Sequence, residues 1–133
     1  LLSMDINNDA RSIFEYLKTR RKYVVISSNN ERHTVEQFLS GKPWKKFVDE
    51  FLWFEEPEFR KGEPHTKYII EKYSLKPDDI LFIGDSPRDY LLMEATGVGF
   101  IGLAGYHTPQ EFWGISGEIP VIRRLTGLRM IVR

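Results

Sequence analysis

The chain has 133 residues, of which 41% are hydrophobic and 14% aromatic, with 19 Lys and Arg balanced by 19 Asp and Glu. That composition is too apolar for disorder and supports one modest domain, and its charge balance leaves no net field to favour nucleic acid or an anionic membrane. The absence of cysteine excludes disulfide and thiolate chemistry and makes a cytoplasmic setting the default expectation, and no apolar run reaches the roughly 18 residues of a membrane span.

Leu1–Met4 is too short for a secretory core. Asn8 or Asp9 can cap a helix over about Ala10–Lys18, with Ile13, Phe14 and Leu17 as its apolar stripe. The run from Lys18 to Lys22 closes that helix, where cations complement the dipole. Tyr23–Ile26 is a β-branched strand ending in Ser27-Ser28-Asn29-Asn30. Hydroxyls at such a strand end are placed to hydrogen-bond a ligand anion, which makes Ser27 and Ser28 candidates; Ser28 or Asn29 can equally cap the helix near Glu31–Leu39. After Gly41-Lys42-Pro43, the aromatic segment Trp44–Phe54 reads as a short helix and a strand near Glu50–Phe54, mostly core. Lys61 precedes a helix opened by Pro64, from where its side chain can reach over the strand ends to an anion. His65 reads as a surface residue.

Ile80-Leu81-Phe82-Ile83-Gly84-Asp85-Ser86-Pro87-Arg88-Asp89 carries the most chemistry. Four apolar residues predict a strand buried on both faces, Ser86 an N-cap and Pro87 the first helical position. Asp85 and Asp89 stand about one helical turn apart, so both carboxylates can face one small volume, as a hard cation such as Mg²⁺ requires. Gly97 ends the helix, Phe100–Leu103 is the next strand, and Thr108 caps a short helix over Gln110–Phe112. Pro120–Leu125 reads as a last helix, and Leu128–Val132 as strand or helix. Short apolar strands alternating with helices predict an α/β fold: a three-layer α/β/α, Rossmann-like parallel sheet, with Ser27, Asp85 and Ala104 at C-terminal strand ends.

From Asp9 to Gly105 these residues resemble the haloacid dehalogenase superfamily of hydrolases and phosphatases. Tyr23–Ser27 is similar to its second motif, Lys61–Pro64 to its third, and Ile80–Asp89 to its fourth. The resemblance implies a Mg²⁺-dependent phosphatase core acting on a phosphorylated substrate through an aspartyl-phosphate. It implies that Ser27 binds the phosphoryl group, that Lys61 neutralises its charge, and that Asp85 holds Mg²⁺ with Asp89 in support. The family's first motif, a strand followed by Asp-x-Asp, has no clear counterpart. Asp5, with Asn7 where the second Asp belongs, is the only candidate, and a chain lacking that strand is the leading expectation. The sheet would then need a substitute strand from Leu1–Met4, from Leu128–Val132 or from another chain. Lys61 follows Ser27 by only 34 positions, too few for a large cap domain between motifs two and three. A non-catalytic binding module for a phospho-ligand or protein is the second reading, and a receiver domain, with its acidic pair expected elsewhere, a poorer third.

Overall fold

The computed structural model describes residues 2–132, with side chains from Asn7 onward. The fold is α/β with parallel strands, as the alternating pattern predicts. The strands fall into two sheets, and the chain into two compact units: residues 1–60 with 124–133, and residues 61–123.

In the first unit, α1 (Leu2–Thr19) leads to β1 (Val25–Glu31), α2 (Arg32–Leu39), a 3-10 turn (Lys45–Phe47) and β2 (Glu50–Phe54). β1 and β2 pair in parallel, with Ile26 opposite Phe51 and Ser27 opposite Leu52, before the register breaks towards Glu31. Ala10, Val35, Leu39 and Trp44 form the buried centre, with Phe14, Ile26 and Phe51 packed on it. The Phe14 and Trp44 rings meet edge to face at 5.7 Å, and the Trp44 indole N–H donates to Asn7 Oδ1 at 3.1 Å. Asp49 staples the start of β1: it accepts from Lys18 Nζ at 2.6 Å and from the Val24 amide at 2.7 Å. Residues 28–60 are thus taken up by α2, the 3-10 turn and β2, a strand of this sheet.

α1 begins well before the expected cap. In the sequence Leu2, Ile6 and Ala10 recur every four residues, a pattern that favours helix upstream of Ala10. Asp9 therefore lies inside the helix, buried at 6% exposure, where Arg124 grips both carboxylate oxygens at 2.7 and 2.9 Å. The residues around it repeat the attachment, since Arg129 Nη2 donates to Ser12 Oγ and Tyr16 Oη to the Val132 carbonyl. The backbone at Asp5 is helical rather than at a strand end, and its side chain, like Leu1, lies outside the described residues. Neither Leu2–Met4 nor Leu128–Val132 supplies a strand: the first is helical and Leu125–Met130 is a 3-10 helix.

In the second unit, α3 (Glu63–Tyr73), β3 (Leu81–Gly84), α4 (Pro87–Met93), β4 (Gly99–Leu103), α5 (Pro109–Trp113) and β5 (Val121–Ile122) follow in order. The sheet order is β3-β4-β5, all parallel. The helix expected over Pro120–Leu125 is replaced by β5, because the Gly102 and Ala104 amides donate to the Pro120 and Ile122 carbonyls at 2.8 Å and β-branched Val121 and Ile122 suit that ladder. β3 is an edge of this sheet and not the doubly buried strand expected: Leu81 is 38% exposed, and Phe82 and Ile83 are half-buried. No described helix is long and apolar enough to cross a membrane.

Arg124→Ala leaves the Asp9 carboxylate buried without its partner. Breaking a fully buried pair costs several kcal/mol; with the Arg124 side chain 59% exposed, a loss of about 1–3 kcal/mol is expected in urea unfolding. The Asp9→Asn, Arg124→Ala double variant should lose clearly less than the sum of the single variants.

Candidate functional site

The site in the second unit is built where β3 turns into α4. Gly84 is needed there for space: a Cβ would lie 2.7 Å from Asp89 Cβ and 2.8 Å from the Phe100 ring. That ring is itself fixed, stacked on Phe82 at 5.9 Å and meeting Tyr90 edge-on at 5.3 Å. α4 then opens with a capping box. Ser86 Oγ accepts from the Arg88 amide at 3.2 Å, and Asp89 Oδ2 accepts from the Ser86 amide at 3.3 Å.

Asp89 is consequently buried, at 6% exposure, with its carboxylate aimed back at the strand end. Its other oxygen accepts from Lys61 Nζ at 3.2 Å. Lys61 is brought there by Gly62, which has φ +106° and passes so close to α4 that a Cβ would sit 3.3 Å from the Leu92 carbonyl. A side-chain residue would be strained in that conformation.

Asp85 follows Gly84 and reaches solvent. Lost hydration raises its pKa above the ordinary 3.8, the neighbouring Asp89 charge and hydrogen bond add to the rise, and Lys61 and the backbone N–H oppose it. Two carboxylates thus crowd one small volume with a single ammonium beside them. A hard cation would relieve that repulsion, and Mg²⁺ commonly binds through one or two carboxylates together with water and phosphate oxygens. The donor set fits that habit. Among the described residues no cluster of three or more His, Cys, Asp or Glu forms a fuller cage.

Lys61, Asp85 and Asp89 therefore come together in the second unit. Ser27 and Ser28 belong to the first, on β1, which continues through them to Glu31. Ser28 Oγ accepts from the Asn30 amide at 3.0 Å, so it stabilises a local turn, and α2 has no side-chain cap. His65 is not a surface residue: it is 1% exposed, on the α3 face that also carries Thr66, Ile69 and Tyr73. Its spacing of four from Ile69 and eight from Tyr73 carries that signal in the sequence. The capping role of Asp89 was likewise legible, as Ser86-x-x-Asp89.

A haloacid dehalogenase-like hydrolase family model matches residues 3–103. Several solved structures share the fold. One from Haemophilus somnus 129PT, described as a predicted phosphoglycolate phosphatase, has 22% identity and a TM-score of 0.79 over 92% of this chain and 55% of that one. A provisionally assigned haloacid dehalogenase-like hydrolase from Bacteroides fragilis has 27% identity and a TM-score of 0.75, covering 90% and 58%. A haloacid dehalogenase-like family hydrolase from Streptococcus pneumoniae has 14% identity and a TM-score of 0.76, covering 92% and 57%. The chain thus spans little more than half the length of these structures. No curated protein matches it.

The raised Asp85 pKa sets the sign of a stability change. Between pH 3.8 and the raised value the folded chain holds more proton than the unfolded one, so this group's contribution to stability falls as pH rises through that window. In metal-free buffer at pH 7, Asp85→Asn should therefore raise the melting temperature, by about 1–3 °C. The gain should vanish below pH 3.8, and differential scanning calorimetry across pH checks both.

Proposed function

This chain belongs to the haloacid dehalogenase-like hydrolase family, and on that premise we propose that it is the core of a Mg²⁺-dependent phosphatase that cleaves phosphate monoesters through an aspartyl-phosphate. The observation that carries this reading is the Lys61–Asp89 pair at 3.2 Å beside Asp85 at the C-terminal end of β3. Mg²⁺, when bound, would screen the charge of the transferring phosphoryl group. Asp85 is its proposed direct ligand. Asp89, already held by Lys61 and the Ser86 amide, orients Lys61 and sets the negative field at the metal position. Lys61 Nζ supplies positive charge for the phosphoryl oxygens. The likeness of Tyr23–Ser27 to the family's second motif assigns Ser27, with Ser28 beside it, a phosphate-binding role.

In the first step a nucleophilic aspartate attacks phosphorus, the P–O bond to the alcohol breaks, and an acid group protonates the leaving oxygen. Water then cleaves the acyl phosphate, releasing inorganic phosphate and restoring the carboxylate. Positioning and charge stabilisation are the protein's main contributions to such a transfer. The names of the H. somnus structure and its relatives support a small organic phosphate as substrate. A cytoplasmic setting goes with this reading. The helical backbone at Asp5 favours a second reading for the residues described here, a phospho-ligand binding module without its own nucleophile.

Mg²⁺ should raise the melting temperature of the 133-residue chain, by about 2.7 kcal/mol of stabilisation at 100 times its Kd, and Asp85→Asn should abolish the shift. A protein carrying an Asp-x-Asp segment ahead of α1 should hydrolyse an aryl phosphate with Mg²⁺, and Lys61→Ala should cut its kcat/KM about 10²-fold or more. A Mg²⁺ shift without turnover in that protein would leave the binding module as the correct reading.

A further inference from the structure

β3 and β4 run parallel with Gly84 opposite Gly102, so Asp85 lies level with Leu103 on a strand about 4.8 Å away. The connection that leaves β4, from Ala104 to Thr108, therefore rises from the same sheet edge as Asp85. It is held at both ends. The Ala104 amide donates to the Ile122 carbonyl at 2.8 Å, and the Gly105 amide to the His107 carbonyl at 3.0 Å. Thr108 and Glu111 close a reciprocal capping box, at 3.1 and 3.2 Å.

On this fixed frame stand two side chains that the core does not use. Tyr106 is 93% exposed. His107 is oriented by Glu111, with Nδ1 2.9 Å from Oε2, a contact that uses one ring nitrogen and none of Nε2's hydrogen-bonding capacity. Open parallel α/β sheets bind their ligands along this edge. An aromatic ring and an imidazole held by Glu111 thus stand on the loop that leaves the sheet at the edge where Asp85 lies.

We propose that Tyr106 and His107 determine specificity by holding the alcohol portion of the phosphate monoester, and that this portion is an uncharged, hydroxylated group of the glycerol or sugar type. The inference rests on the phosphatase reading. In the neutral ring, Nδ1–H donates to Glu111, which leaves Nε2 as an acceptor for a substrate hydroxyl. The Tyr106 ring offers an apolar face to the carbon skeleton and a hydroxyl at its tip. A carboxylate in the same place would meet Glu111, whose carboxyl is held below its ordinary range by the His107 hydrogen bond and the Thr108 N–H and so stays charged. The unit itself is acidic, with nine Asp and Glu against six Lys and Arg from Lys61 to Arg123.

The test is equilibrium binding to the 133-residue chain with Mg²⁺, followed by amide chemical shifts, using inorganic phosphate, propyl phosphate and glycerol 3-phosphate. Glycerol 3-phosphate should bind more tightly than propyl phosphate and should move the Gly105–Thr108 amides, which inorganic phosphate leaves in place. Tyr106→Ala should raise the Kd of glycerol 3-phosphate about 5- to 20-fold, and His107→Ala about 3- to 10-fold. Both variants should keep the Kd of inorganic phosphate within about twofold, and His107→Ala should not alter that of propyl phosphate. Tyr106 is exposed, and His107 is half-buried in a surface contact with Glu111, so the melting temperature should change little. If all three ligands bind but neither variant changes the glycerol 3-phosphate to phosphate ratio, the specificity inference falls and the phosphatase reading stands. If propyl phosphate binds as tightly as glycerol 3-phosphate, the preference for hydroxyls falls. If no ligand binds, the reading and the inference fall together.

Discussion

The buried carboxylate of Asp89 is the constraint around which the second unit is arranged. A buried charge must be partnered, and its two oxygens are met by a lysine ammonium and by the N-cap amide of the helix to which it belongs. Each requirement propagates. The capping box fixes where α4 begins, Gly84 must lack a side chain so that the carboxylate can sit against the strand end, and Gly62 must take a positive φ so that Lys61 arrives beside it. Asp85 then bears the cost of this neighbourhood, because its own ionisation is opposed by Asp89. A fold that places two acids in one spot with one base is less stable than it could be, and that is the arrangement a dication and a phosphoryl group would complete.

The first unit solves a different problem, the attachment of two chain segments far apart in sequence. Residues 124–132 return to α1 through a second buried carboxylate, Asp9, gripped by Arg124. The fork geometry of the guanidinium suits this task, since it satisfies both oxygens in one plane. Asp9 and Asp89 show how burial changes what a carboxylate does. One holds chain segments together, while the other holds a lysine beside a reactive-looking neighbour.

Local chemistry was written plainly in the sequence. The parallel α/β class, the β2 and α3 segments, the positive-φ Gly97, the Thr108 cap and the turn from Gly84 into a Ser86-capped helix all depend on contacts within a few residues, and residue type governs those directly. The pairing of Asp85 with Asp89 followed from one helical turn of spacing. The family motifs sit on these same local signals, which is why the resemblance could be drawn from them.

What failed to show in the sequence involved partners far along the chain. Asp9 has the composition of a cap, and only an arginine 115 residues away makes it a buried helical residue. His65 shares a helical spacing with Ile69 and Tyr73, but which face of α3 is covered depends on what packs against it. Val121 and Ile122 became a strand because the amides of β4 were available to them, whereas their own sequence suggests a helix equally well. Lys61 was readable as a cation near an anion, yet its distance to Asp89 depends on the backbone of Gly62 against α4. Sequence by itself determined the alternation of strands and helices and the identity of the charged groups, because those rest on short-range sterics and hydrogen bonding. Tertiary structure alone decided which carboxylates are buried and which cation each one meets, because desolvation and Coulomb energy depend on neighbours that only folding brings within a few ångströms.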